Sequence, residues 1–180
     1  MRGASDRDTA RVLSDFAARL SFEGIPDQVT ETVRLFIADY YGACFAGMKV
    51  NARFNQAVLD AVLGMGVKGA SSVLGLEEKL PAEYAGFMNG LYAHGADLDD
   101  GNRKSMGHIG AHVMSAVFAL AEELGNVAWR DVVTALTVGY EVFNRIGAMA
   151  QPGLAHRGFH STGMAGGPAC AAACGKLLGL

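Results

Sequence analysis

Apolar residues recur at helical spacing through residues 9–20, where Val12, Leu13, Phe16, Ala17 and Leu20 alternate with arginines and aspartates. This pattern predicts an amphipathic helix. A second helix is expected to open at Pro26, with acidic Asp27 in its first turn, and to run through Val29, Val33, Phe36, Ile37, Tyr40, Tyr41 and Cys44. Gly47 can close it, and its second half is apolar nearly all round, which places it in the core. Residues 53–63 read as a third helix, bounded by Gly64 and Gly66. The pattern then breaks, and residues 71–74 suit a short extended piece, which alone makes no sheet. Pro81 restarts a helix in AEYAGFMNGLYAHG, whose Ala82, Ala85, Gly86 and Gly90 allow close packing. Residues 111–124 form a strongly patterned helix ending at Gly125. Residues 129–149 carry Val and Thr, but their length favours helix over strand. After a loop over 151–160, STGMAGGPACAAACGKLLGL reads as a last helix. Pro168 should kink it, or delay its start until about that point. No repeat or low-complexity linker divides the chain. The expected class is all-α, a multi-helix bundle in one domain over residues 1–180.

Composition adds to this picture. Of 180 residues, 51% are hydrophobic and 18% charged, and 24 are glycine. Charge below the usual quarter, with many small side chains, means close helix packing and much buried surface, a subunit interface included. A net charge of −3 without a basic block argues against nucleic acid as a partner. Cys44, Cys170 and Cys174 are odd in number and lack zinc-ribbon or CxxC spacing. They point to free thiols in a reducing compartment, the cytoplasm. The opening MRGASDRDTARVLSDF lacks the apolar run of a secretory signal. Residues 158–175 carry no acidic or basic charge over the length of a membrane span, yet His160, Ser161, Thr162, Pro168 and five glycines leave them weakly apolar. A buried small-residue helix is expected there, and no membrane partner.

Candidate chemistry concentrates in residues 94–113, HGADLDDGNRKSMGHIGAHV, which hold three of the five histidines and three aspartates. Titratable groups between apolar helices are costly unless partnered or functional. His108 and His112 are four apart, as are His156 and His160. That is zinc-ligand spacing, but no HExxH glutamate accompanies it, and the expectation is no metal. On local grounds the aspartates suit caps for the following helix. His94 and His112 suit hydrogen-bonded structural roles, Arg103 and Lys104 solvation, and Tyr140 and Glu141 packing.

Four stretches arrive in a fixed order: NGLYAHGADLDDG, GHIGAHVMSAVFALAEELG, the aromatic–glutamate pair of VGYEVFNRI, and GFHSTGMAGGPACAAACGKLLGL. With the earlier IADYYGACFAG they resemble the MmgE/PrpD superfamily of 2-methylcitrate dehydratases, cis-aconitate decarboxylases and iminodisuccinate epimerases. The resemblance covers most of the chain from about Ile25 to Leu180. It implies the front part of a helical domain that dimerises, with the remainder and a second, smaller α/β domain lying outside this sequence. It implies lyase-type handling of a small di- or tricarboxylate, with no cofactor and no metal. The catalytic positions it carries over are Asp97, His108 and His160. Imidazole suits proton transfer beside a carboxylate because its unperturbed pKa lies near neutrality. Given the resemblance, Asp97 reads as functional and Asp99 or Asp100 as the cap.

Gly101 stands where the decarboxylases have a threonine, one extra residue precedes His108, and no proline follows it. These departures favour a dehydratase-like or uncharacterised branch. The family's later lysine and tyrosine positions have no counterpart here, so the chain is expected to be inactive alone and to need a complementing C-terminal chain. The alternative reading is a non-catalytic binding or structural helical module derived from that family.

Overall fold

The structure, a computed structural model, describes residues 8–180. The expectation that no leader opens the chain falls largely on residues 1–7 and so lies outside those described. Asp8 caps α1 (Thr9–Arg19) by accepting the amide of Ala10 at 3.1 Å. A single 3₁₀ turn (Phe22–Gly24) leads to α2 (Asp27–Val50), which Pro26 precedes. α3 (Ala52–Gly64) follows directly. β1 (Ser71–Ser72) and β2 (Lys79–Leu80) make a two-residue ladder before α4 (Ala82–His94). β3 (Gly101–Asn102) and β4 (Gly107–His108) form a second one before α5 (Gly110–Leu124). α6 (Trp129–Ala150), a short α7 (Gly153–His156) and α8 (Ser161–Leu177) complete the described chain. The fold is an all-α bundle, as the hydrophobic periodicity predicts.

α5 lies at the centre. Its Ala111, Val113, Met114, Val117 and Ala119 are buried, as befits a helix packed on several sides. α4 approaches it through small residues, for a Cβ at Gly90 would stand 3.2 Å from the Ala111 carbonyl oxygen. α6 crosses α5 and α8 at Gly139, where a Cβ would lie 2.5 Å from Val113 and 3.1 Å from Ala173. Inside the bundle the one hydroxyl of buried Tyr40 is satisfied by Ser115 Oγ at 2.8 Å. Asn89 ties α4 to the first ladder, donating to the Ser72 carbonyl and accepting from the Leu74 amide. No helix among the described residues is long and apolar enough to cross a membrane.

Four expectations are corrected. Gly47 does not end α2, which continues to Val50. Its missing side chain is used for packing instead, since a Cβ there would lie 1.9 Å from the Tyr92 carbonyl oxygen of α4. Pro168 does not delay α8, which begins at Ser161 and keeps the proline inside. The loop over 151–160 contains the turn of α7. The extended piece at 71–74 shrinks to Ser71–Ser72 and finds a partner that periodicity missed.

Candidate active site

Three helix ends meet around the titratable cluster. α4 ends at His94, α5 begins just past His108, and His160 is the N-cap residue of α8. The chain between α4 and α5 carries the aspartates, and each has a different task.

Asp100 is the cap. Its Oδ1 accepts the amides of Ile109 at 3.2 Å and Gly110 at 2.8 Å, two donors that the first turn of α5 would otherwise leave unpaired. Its Oδ2 accepts the hydroxyl of Tyr140, reaching in from α6. Burial, and then the Asp100 charge, push the Tyr140 phenol far above its ordinary range, so it stays a donor. Tyr140 therefore does more than pack.

Asp99 is buried, its side chain 1% exposed, and it orients both neighbouring imidazoles. Its carboxylate Oδ1 lies 2.9 Å from His94 Nδ1, and its backbone carbonyl lies 2.9 Å from His108 Nδ1. A carbonyl oxygen can only accept, so His108 carries its proton on Nδ1 and, when neutral, keeps its Nε2 lone pair free. Asp99 Oδ2 is buried without a hydrogen-bond partner among the described residues. Asp97 lies in the turn after α4, with φ 53°, a left-handed conformation that aspartate tolerates better than most residues. That turn brings its Oδ1 to 3.5 Å from His108 Nε2, while 78% of the side chain stays exposed.

The loop bearing His108 is fastened to α8. The His108 amide donates to Thr162 Oγ1 at 3.0 Å, and Ser161 Oγ donates to the Ser105 carbonyl. Ser105 also donates to Asn144 Oδ1 of α6 at 3.1 Å. His160 is exposed, and its ring lies 6.5 Å from that of His94, which is itself 5.1 Å from that of His108. Asp97 and His108 thus adjoin directly, whereas His160 is brought near His94, the neighbour of His108. Sequence reasoning assigned His94 a structural role, and its hydrogen bond to Asp99 is of that kind. Its ring, however, sits between the two carried-over histidines. Of the two candidate caps, Asp100 takes that task, and Asp99 instead holds His94 and His108, a pairing that local spacing did not indicate.

His112 is set deeper, its ring lying against Gly166 of α8, where a Cβ would come within 2.6 Å. Burial lowers its pKa first, helped by His94, His160 and His108 and opposed by Asp99. Neither of the four-apart histidine pairs shares a helix face: His108 precedes α5 while His112 lies on it, and α7 ends between His156 and His160. Arg103 and Lys104 are exposed, as expected of solvated cations.

An open cleft of about 780 Å³ runs between α4, α5 and α8 and reaches the cluster at His94 and His112, with Phe87, Gly90, Cys170 and Cys174 on its walls. Two further hollows of about 590 and 510 Å³ lie along α1, α6 and α8 and hold none of the histidines. Cys170 is pushed up to about 12, chiefly by burial, which makes it a poor nucleophile.

Comparison with known proteins gives a consistent result. The family model described as the MmgE/PrpD N-terminal domain matches residues 11–180. A cis-aconitate decarboxylase of Aspergillus terreus is 32% identical over 170 residues, which cover 92% of this chain and 34% of that protein. The cis-aconitate decarboxylase-like protein oryM of Aspergillus oryzae is 30% identical over 175 residues, 93% of this chain and 36% of its own. The human cis-aconitate decarboxylase is 30% identical over 161 residues, 87% and 33% respectively. The chain spans about a third of the length of these curated relatives.

Proposed function

Because this chain belongs to the MmgE/PrpD family, as its N-terminal domain, we propose that it supplies the histidine-bearing wall of a lyase acting on small di- or tricarboxylic acids. The observation that supports this reading is Asp97 Oδ1 3.5 Å from His108 Nε2, with the His160 ring 6.5 Å from that of the neighbouring His94. In the proposed reaction His108 Nε2, with its lone pair fixed outward by the Asp99 carbonyl, takes the proton from the carbon beside a carboxylate. Asp97, 3.5 Å from that nitrogen, steadies the imidazolium that forms or holds a substrate hydroxyl. His160 delivers a proton to the departing group, so that a departing hydroxyl leaves as water. The side chain of the N-cap residue His160 does not cap α8, and the first amides of that helix, at the positive end of its dipole, suit a substrate carboxylate.

Loss of water fits this frame directly, whereas loss of carbon dioxide would break a C–C bond and use a protonated histidine to return a proton to the carbon left behind. The relatives named as cis-aconitate decarboxylases favour decarboxylation. Gly101 favours dehydration: a side chain there would begin 3.8 Å from His108 Nδ1, so the glycine leaves that ring edge without the hydroxyl expected of decarboxylases. We take the hydro-lyase reading, with a 2-methylcitrate-like substrate. Free thiols suit a reducing cytoplasm, and a complementing C-terminal chain and a second copy are the proposed partners.

The test is reconstitution. The chain alone is expected to turn over 2-methylcitrate and cis-aconitate negligibly, because solvent covers Asp97 and His160 and a preorganised, water-excluding site is missing. Combined with the C-terminal part of a relative, it should gain activity, which His108→Ala or His160→Ala should cut by about 10²–10⁴-fold. Full activity in either variant would remove that residue from the mechanism.

A further inference from the structure

The outer face of α2 carries a stripe that neither the core nor the histidine cluster uses. Glu31, Leu35, Ala38, Gly42, Phe45 and Lys49 follow one another at intervals of four, three, four, three and four residues. With about 3.6 residues per turn they fall within roughly 80° of arc. All six are exposed, Leu35 to 70% and Phe45 to 62%. Alternating steps of three and four, with apolar residues at the centre, are the spacing of a helix–helix seam.

Gly42 adds an independent observation. Glycine inside a helix weakens it, and the smallness of Gly47 is used by α4, which presses against it. A Cβ at Gly42, by contrast, would meet nothing within 4 Å. Its smallness serves no contact among the described residues, but it would let a second helix axis approach the outer face closely.

The stripe also fits itself. It is symmetric about the level of Tyr40, with Glu31 as far before that level as Lys49 is beyond it, and likewise Leu35 with Phe45 and Ala38 with Gly42. Two copies of α2, antiparallel about a two-fold axis, therefore place Leu35 in the layer of Phe45 of the second copy and Ala38 in the layer of Gly42. Glu31 then meets Lys49 of the second copy at each end. The smallest residues sit where the axes come nearest, large apolar side chains fill the seam beside them, and opposite charges close it. Glu31 pairs with Arg34 of its own helix through Oε1 at 2.7 Å, which leaves Oε2 for the lysine. A helix of a different protein would have no reason to share this symmetry.

We propose that two copies of this chain associate through an antiparallel α2–α2 seam centred at the level of Tyr40. The seam rests on the second copy proposed above and is independent of the lyase reading.

Sedimentation equilibrium of charge-swapped chains tests it. Glu31→Lys and Lys49→Glu each set like charges across both ends of the seam, and each should weaken association at least about tenfold. An equimolar mixture of the two variants pairs opposite charges again and should associate as tightly as the parent. Leu35→Arg, at an exposed position, should give a monomer with the parent's circular dichroism, while Phe87→Ser on α4 should leave the dimer intact. A monomeric parent overturns the seam and the second copy together. A dimeric parent that survives Glu31→Lys or Leu35→Arg, or a mixture that fails to restore association, overturns the seam alone. Monomerisation by Phe87→Ser assigns the contact to α4 and equally overturns it. So does a complex with the C-terminal part of a relative that holds a single copy of this chain and protects α2 from hydrogen exchange.

Discussion

Adjacent aspartates with identical side chains do unlike work here because the backbone turns between them. Asp100 faces the amides of α5 and the Tyr140 hydroxyl, whereas Asp99 faces two histidines. Asp100→Ala is therefore expected to destabilise the fold by about 2 kcal/mol, through a lost cap and a stranded phenol. Tyr140→Phe should cost less, and urea denaturation of both variants and their combination should show coupling rather than additivity. His112 sets a pH limit. Its folded pKa is lowered, so its contribution to stability is present above the unfolded value of about 6.5 and is lost as pH falls through the lowered folded value. His112→Gln should flatten that acid loss as pH falls below about 6.5; an unchanged slope in denaturation midpoints would refute it. Asp97, His108 and His160 were singled out by the family resemblance, since local pattern alone read the aspartates as caps. That pattern could not separate Asp99 from Asp100, because which carboxylate caps and which binds imidazole depends on a turn with no apolar pattern to read.

The long helices were legible from periodicity, and the errors fall where glycine and proline were read as punctuation. Gly47 looks like a stop, yet α2 passes through it because α4 presses on that spot. Gly47→Ala is accordingly expected to force α2 and α4 apart and cost at least about 1–3 kcal/mol. A denaturation midpoint equal to the parent's would show that the two helices can yield. Pro168 lacks an amide to give, but seven residues of α8 precede it, and the helix is held by burial of Ala165, Gly166, Ala169 and Ala173. The two-residue ladders were beyond sequence reading, since pieces so short carry no alternation. They are held by outside groups: Ser71 donates to the Ala119 carbonyl of α5 at 2.7 Å, and β4 is fastened to Thr162.

At the scale of the whole molecule, large apolar side chains remain uncovered on the outer faces, Leu35 (70% exposed) and Phe45 (62%) of α2 and Phe87 of α4 among them. Such surface suits association, and sedimentation at micromolar concentration is expected to give a dimer or larger; a clean monomer would count against the proposed pairing. The fastening of the His108 loop to α8 also says something about time. Thr162 reaches back 54 positions and Ser161 reaches back 56 to hold that loop. In a chain leaving the ribosome, every residue from His94 to His108 is therefore made well before the groups that fix its shape. The histidine set early in the sequence is set last in space. Pulse-labelled hydrogen exchange during refolding should show the His108 amide becoming protected together with the first turn of α8, and later than the central amides of α5; protection arriving with α5 would mean that the loop shapes itself.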